Sequence, residues 1–279
     1  MIPRGPAMLL AGLLALSGAG IACAEAAPGR VVSINLCTDQ LAMILAAPGQ
    51  LVSVSHLAAD PRSSVMVEQA RGYAINHSQA EEIYLMKPDL VLAGTFTSTA
   101  TVSMLRRLGI KVVTFPPASA LSDVRQGMLD MGAALHREPQ AQAMLAEFDA
   151  GLAALQQAQP ATLSAVTYAA NGYTPGSHSL SGEIIRAAGF RHLADDLGMQ
   201  SGGVLPLELL LMAQPDLVIT GEPYPGGSRA EEILHHPALA ALQAGQAAVE
   251  DRDWVCGLPS VLSAIDGLAQ ARAALEAAR

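Results

Sequence analysis

The chain has 279 residues, of which 51% are apolar but only 4% aromatic, with a formal charge of -9. That is length for two modest cores built of Ala, Leu and Val. With only 16 Lys and Arg in all, it lacks the clustered cations that neutralise phosphates, which argues against a nucleic-acid partner; an acidic surface suits a basic partner instead.

Residues 1–24 read as an export signal. Arg4 opens it, residues 8–16 form its apolar core, and Ala22-Cys23-Ala24 is a small-x-small cleavage site. The apolar stretch is shorter than the roughly 20 residues of a spanning helix, and no later segment is long enough. The expected location is the periplasm after cleavage near Ala24. Two alternatives are an N-terminal anchor and a lipidated Cys23, although Gly20 stands where lipidation sites usually carry Leu.

The mature chain then alternates strands and helices. Residues 30–36 read as a strand and are followed by a helix capped by Thr38 or Asp39. A strand at 50–55, a loop at 56–62, a helix at 99–108 and a strand at 111–115 come next. This order implies a mostly parallel sheet covered by helices. Apolar residues recur at helical spacing over 121–135, and Pro139 can open a second helix running to about Gln157 and ended by Pro160. At 1.5 Å per residue that helix is about 28 Å long, enough to bridge two lobes. The second half repeats the scheme: a strand at 164–168, a Gly- and Tyr-rich loop at 171–182, a helix from Glu183, a loop at 193–204, the Gly- and Pro-rich 222–228, a helix through His235, a turn at 254–259 and a terminal helix. The expected fold class is α/β, with two Rossmann-like lobes (30–120 and 160–279), mostly parallel sheets, and a helical segment (121–159) containing the single long joining helix.

Two lobes also follow from an internal repeat. Residues 81–94 and 208–221 share six of fourteen positions in the pattern Glu-x6-Pro-Asp-Leu-Val-x2-Gly, at an offset of 127. In each copy an acidic residue opens a short helix, Pro-Asp ends it, and an apolar strand runs on to a glycine. Asp89 and Asp216 are expected to accept backbone amides in their turns, a structural role. Ser78 and Glu81 form a capping-box pattern, and Pro206 is expected to be the first helical residue before Glu208. Helix capping alone explains such glutamates at about 0.3–1 kcal/mol each. Their equivalent places in two lobes also suit a pair of carboxylates gripping paired basic residues on one partner.

Candidate binding groups lie in the unrepeated loops. Cys37 ends the first strand, and Cys256 lies in the last loop before the terminal helix. Buried small hydrophobes, a disulfide, and direct contact with a ligand or its metal all remain open for this pair. The seven histidines form no metal signature, and His235-His236 diverge on a helix. His56, His77 and His178 fall in loops, where they can add polar grip or an axial ligand. Tyr73, Tyr173, Tyr224 and Trp254 in loops, with Tyr168 at a strand end, offer rings on which a flat ligand could stack. No nucleophile elbow, phosphate loop, dinucleotide fingerprint or His-Glu-x-x-His occurs. An enzyme is not expected, nor a resident cofactor or metal.

From Arg30-Val-Val-Ser-Ile, through both Pro-Asp-Leu-Val segments, to Trp254-Val-Cys-Gly-Leu-Pro, the chain resembles the periplasmic substrate-binding proteins of ABC importers that carry ferric siderophores, haem or cobalamin. The resemblance implies two α/β lobes joined by a long rigid helix. It also implies a monomer that hands a metal chelate or corrinoid to a permease with its ATPase. Glu81 and Glu208 match the carboxylates, one per lobe, that dock on permease arginines. Asn35, Cys37 and Thr38 match the first cleft loop and His56-Leu57 the second; residues 168–173 and Asp253-Trp254 match segments of the far lobe. The single Trp departs from cobalamin binders, and loop cations limited to Arg62, Arg71 and Arg252 depart from binders of anionic siderophores. Two other readings stand beside this one: a tetrapyrrole metal chelatase, and a free-metal binder with several converging His or carboxylate ligands.

Overall fold

A computed structural model of the chain describes Met1 and residues 26–156, 161–221, 226–242, 244–249 and 251–279. The export signal, Gln157, Pro160 and Tyr224 lie outside the described residues. Among those described, no helix is long and apolar enough to cross a membrane.

The first lobe runs β1 (Val31–Ser33), α1 (Leu36–Leu45), β2 (Leu51–Ser55), α2 (Val67–Ala70), β3 (Ala74–Asn76), α3 (Ala80–Leu85), β4 (Leu90–Gly94), α4 (Thr99–Arg107) and β5 (Lys111–Phe115). Its five strands are all parallel, in the order β3-β2-β1-β4-β5. Helices α5 (Leu121–Leu135) and α6 (Glu138–Leu155) lead to the second lobe. There follow β6 (Ser164–Thr167), β7 (Tyr173–Thr174), α7 (Leu180–Ala187), β8 (Arg191–His192), α8 (Leu193–Asp196), β9 (Gly203–Val204), α9 (Leu207–Ala213), β10 (Leu217–Thr220), α10 (Pro237–Ala240), β11 (Gly245–Ala248), α11 (Asp251–Trp254) and α12 (Val261–Ala277). Here the parallel order is β11-β10-β6-β8, with β7 and β9 as a small antiparallel pair.

Strand alternation divides the core into three layers. Val32, Val91 and Ala93 face one cluster confined to the first lobe, with Val102 and Leu105 of α4. Val166 and Val218 face another confined to the second lobe. Between them, Val31, Leu90 and Leu92 of one sheet and Ala165, Leu217 and Ile219 of the other belong to a single cluster, filled by Met128 and Met131 of α5, Phe148 and Leu152 of α6, and Ile265 and Leu268 of α12. The lobes thus share one apolar core. Their connection is a pair of helices, α5 and α6, turned at His136 in the left-handed region (φ 55°). Helix α6, 18 residues long and about 27 Å, matches the expected bridge in length.

The repeat has a common mechanical role. Both helices end at a left-handed residue, Lys87 (φ 51°) or Gln214 (φ 45°), before the proline. Asp89 Oδ2 accepts the amides of Gly29 and Arg30 at 3.0 and 2.9 Å, and Asp216 Oδ2 accepts the Ser164 amide at 2.7 Å and its hydroxyl at 3.0 Å. Each aspartate therefore pins the start of the strand beside its own, rather than capping its own turn.

Candidate functional site

The carboxyl ends of parallel strands are where open α/β sheets present ligand-contacting groups. At that edge of the first lobe, Asn35 rather than Thr38 or Asp39 caps α1: its Oδ1 accepts the amides of Cys37 at 3.1 Å and Thr38 at 3.4 Å. A cavity of about 160 Å³ opens beside it, lined by Asn35, Cys37, Gly94, Phe96 and Phe115 from one lobe and Cys256 and Gly257 from the other. A larger cavity of about 730 Å³, lined by Asp216 and Arg279 among others, sits at the opposite, amino-terminal end of β10 and is no part of this edge.

Cys37 and Cys256 are joined as a disulfide across the lobes, with Cα atoms 4.9 Å apart. Their sulfurs are bonded to each other, so neither thiol is available to a ligand's metal, and direct contact through a free thiol is corrected. The same seam is drawn tight elsewhere. Arg252 Nη1 donates to the Pro61 carbonyl at 3.1 Å, and Gly257 (φ 57°) comes so close to Ala118 that a Cβ there would lie 2.3 Å away.

Other predicted contacts divide into two groups. His56 and Leu57 are exposed in a 3₁₀ turn directly after β2, Tyr173 is exposed in the short strand β7, and His178 is exposed on a loop of the second lobe. The other four are held by packing. Thr38 lies on the cavity wall, buried, its hydroxyl held by Ser33 Oγ (2.8 Å) and the Asn35 carbonyl (3.0 Å). The remaining three are corrected, because they pack away from the cavity. Tyr73 lies at the amino-terminal end of β3, packed on the shared core. Tyr168 is 1% exposed among Val166, Leu193 and Leu210, and burial, with the Glu208 charge, pushes its hydroxyl up. Trp254 is buried in the shared core. Two rings at the cavity fall outside the sequence-predicted contacts: Phe96, 87% exposed just past β4, and Phe115, buried at the end of β5. For Phe96 the signal was a ring two residues beyond the glycine that ends a strand.

The loop arginines are engaged within the protein. Arg62 pairs with Asp60 and Arg71 with Glu68, while Arg252 binds Pro61.

Glu81 and Glu208 are the second residues of α3 and α9, and both are exposed. The expected capping box does not form. Gln79 is the N-cap of α3, Ser78 donates its hydroxyl to the Ile34 carbonyl, and Glu82 takes the amide of His77. Pro206 is likewise the N-cap of α9. Among the described residues neither Glu81 nor Glu208 makes a hydrogen bond or ion pair. Four residues after each, Leu85 and Met212 are 77% and 79% exposed, so both helices present the same acidic-then-apolar face.

Beneath the cleft, Asp39 is fully buried and accepts from Ser55 Oγ at 2.5 Å. Burial pushes its carboxyl from 3.8 up to about 6. Because folding raises this value, the neutral acid is the favoured folded form: its stabilisation is complete below about pH 4 and lost as the pH rises through about 6. A rise of that size corresponds to about 3 kcal/mol. Asp39→Asn is therefore expected to match the parent's urea midpoint near pH 4 and exceed it at pH 7.5. Parallel pH dependences would count against a buried, protonated Asp39.

The sequence pattern of the periplasmic binding protein family matches residues 31–248. A cobalamin-binding protein of Halobacterium salinarum is 29% identical over 202 residues, 71% of this chain and 55% of that protein; the chain thus spans about half the length of the first curated relatives it matches. An uncharacterised ABC transporter substrate-binding lipoprotein of Bacillus subtilis is 23% identical over 229 residues, 75% of this chain and 71% of that one. Among solved structures, the periplasmic haem-binding protein HutB of Vibrio cholerae aligns with a TM-score of 0.71 at 22% identity, covering 87% of this chain and 98% of its own. The vitamin B12-binding protein BtuF of the same organism aligns at 0.61 and 17%, covering 89% and 98%. At such identities these two likenesses show the fold, two lobes of mixed α/β with mostly parallel sheets.

Proposed function

The chain belongs to the periplasmic binding protein family, a family of transport proteins rather than enzymes, and from that premise we propose that it is the exported solute-binding component of an ABC importer. It captures a metal chelate or corrinoid in the cleft between its lobes and delivers it, as a monomer, to a permease with its ATPase. The observation that carries this reading is the pair of exposed, unengaged glutamates at equivalent second positions of α3 and α9, one per lobe. A partner with two spaced arginines would meet both at once, with Leu85 and Met212 flanking them as apolar contacts. Delivery needs little hinge motion, because the lobes share a core and a disulfide that hold the glutamates at a fixed spacing.

Cobalamin and haem, the ligands named for the curated relative and the solved neighbour, suit a cavity whose exposed ring is Phe96. The chelatase reading falls with the family. For the free-metal reading, among the described residues no three His, Cys, Asp or Glu come together as a cation site. Phe96→Ala is expected to weaken binding of a flat chelate about ten-fold, the worth of one stacking contact. Buried Tyr168→Phe is expected to leave it unchanged. Calorimetric titration of both variants checks the pair; equal losses would remove Phe96 from the site.

A further inference from the structure

Two imidazoles stand side by side at the cleft edge of the first lobe, and the docking and stacking roles above leave them unused. His56 and His77 are the first residues after β2 and β3, whose parallel register sets Ser55 against Asn76. Their rings stack with centroids 5.5 Å apart and planes inclined by 17°. Both side chains are exposed. His77 is fixed from behind by Glu82: one carboxylate oxygen accepts the His77 amide at 2.7 Å, and the other faces its Nδ1 at 3.5 Å. A carboxylate at Nδ1 favours the tautomer with its proton there, leaving the Nε2 lone pair for a metal. Among the described residues His56 has no carboxylate in ion-pair contact.

The stacking also restricts what the pair can hold. Nearly parallel rings at this separation direct their lone pairs side by side, so one ion at bonding distance, about 2.0–2.1 Å, from both is out of reach. One imidazole can coordinate while the other supports its face. Cys37 and Cys256 are committed to each other, which leaves imidazole as the nitrogen donor for a transition metal at this edge. From β3 to β4 is three strand spacings, about 14 Å, so a broad flat ligand can reach His77 at one side and Phe96 at the other.

We propose that His77 Nε2 is an axial ligand to the metal of the cargo, with His56 stacked behind it, so that the cargo is a metallo-tetrapyrrole with an exchangeable axial position rather than a coordinatively saturated ferric chelate. This rests on the solute-binding reading above. The step is a ligand exchange: the Nε2 lone pair forms a dative bond as a metal-bound water leaves, with no change in oxidation state.

The test titrates the mature protein, its His77→Ala and His56→Ala variants, with aquocobalamin, ferric haemin and a ferric trihydroxamate, recording visible spectra and affinity. The expected result is a shift of the visible bands of aquocobalamin or haemin on binding. That shift is lost in His77→Ala with at least a ten-fold loss of affinity, restored by added imidazole, and retained in His56→Ala. Binding of either tetrapyrrole without a spectral change, or loss of the shift only in His56→Ala, would overturn the axial assignment while leaving the carrier reading intact. Preference for the trihydroxamate would overturn the cargo class. If none of the three binds, the metal-chelate reading itself fails and the assignment with it.

Discussion

Replacing Cys37 and Cys256 by serine is expected to lower the unfolding free energy by about 5 kcal/mol, because the bond closes a loop of 219 residues in the unfolded chain. For a protein of this size that is a fall in melting temperature of about 10 °C or more. The same bond crosses the lobes beside Asn35, so its loss also frees the seam at which Arg252 meets Pro61 and Gly257 meets Ala118. The shared apolar core remains, and the serine pair is therefore expected to fold and bind. A melting temperature within about 2 °C of the parent, in oxidising buffer, would show that the bond does not carry this load. Thermal unfolding with and without reductant makes the comparison on one protein.

Changing Glu81 and Glu208 together to alanine is expected to reduce ligand uptake by cells at least ten-fold while leaving affinity for the ligand within about two-fold. Truncating one partner of a hydrogen-bonded charge pair at an interface costs about 2–5 kcal/mol, so the loss of two is large even where only one pairs well. The folded protein is not expected to suffer. Neither carboxylate forms a hydrogen bond or ion pair within the described residues, and the capping work falls to Glu82 and to the backbone around Gln79 and Pro206. Single variants separate the lobes: equal partial losses indicate docking through both. Unchanged uptake in the double variant, with the protein exported and binding normally, would remove the docking role.

The strands that run through the middle of each sheet were legible because burial on both faces requires continuous apolar runs, as in Leu90–Gly94 and Leu217–Thr220. Helix α5 was legible end to end from its spacing. Edge elements were not: β3 has Ala74 and Ile75 exposed, and β8 and β9 are two residues each, so neither pattern nor length marks them. Asn35 reads as part of a strand, yet its side chain starts the next helix. In the site, strand-end position marked which loops lie at the carboxyl edge of the sheets and was a poor guide to which side chains are exposed there. Tyr168 follows β6 but turns inward, whereas Phe96, in an unremarkable loop, turns out. The disulfide joins residues whose proximity depends on how two lobes meet, and local sequence carries no record of that.

The central claim is that the cleft takes up a metal chelate. The most direct measurement is a titration of the mature protein with aquocobalamin, ferric haemin and a ferric trihydroxamate, following the fluorescence of Trp254, the single tryptophan, buried beside the Cys256 seam. Saturable quenching at one ligand per protein, with a dissociation constant at or below about 1 μM, or about -8 kcal/mol, is the result expected for at least one of them. Linear, unsaturated quenching by all three, with no heat of binding, would contradict it.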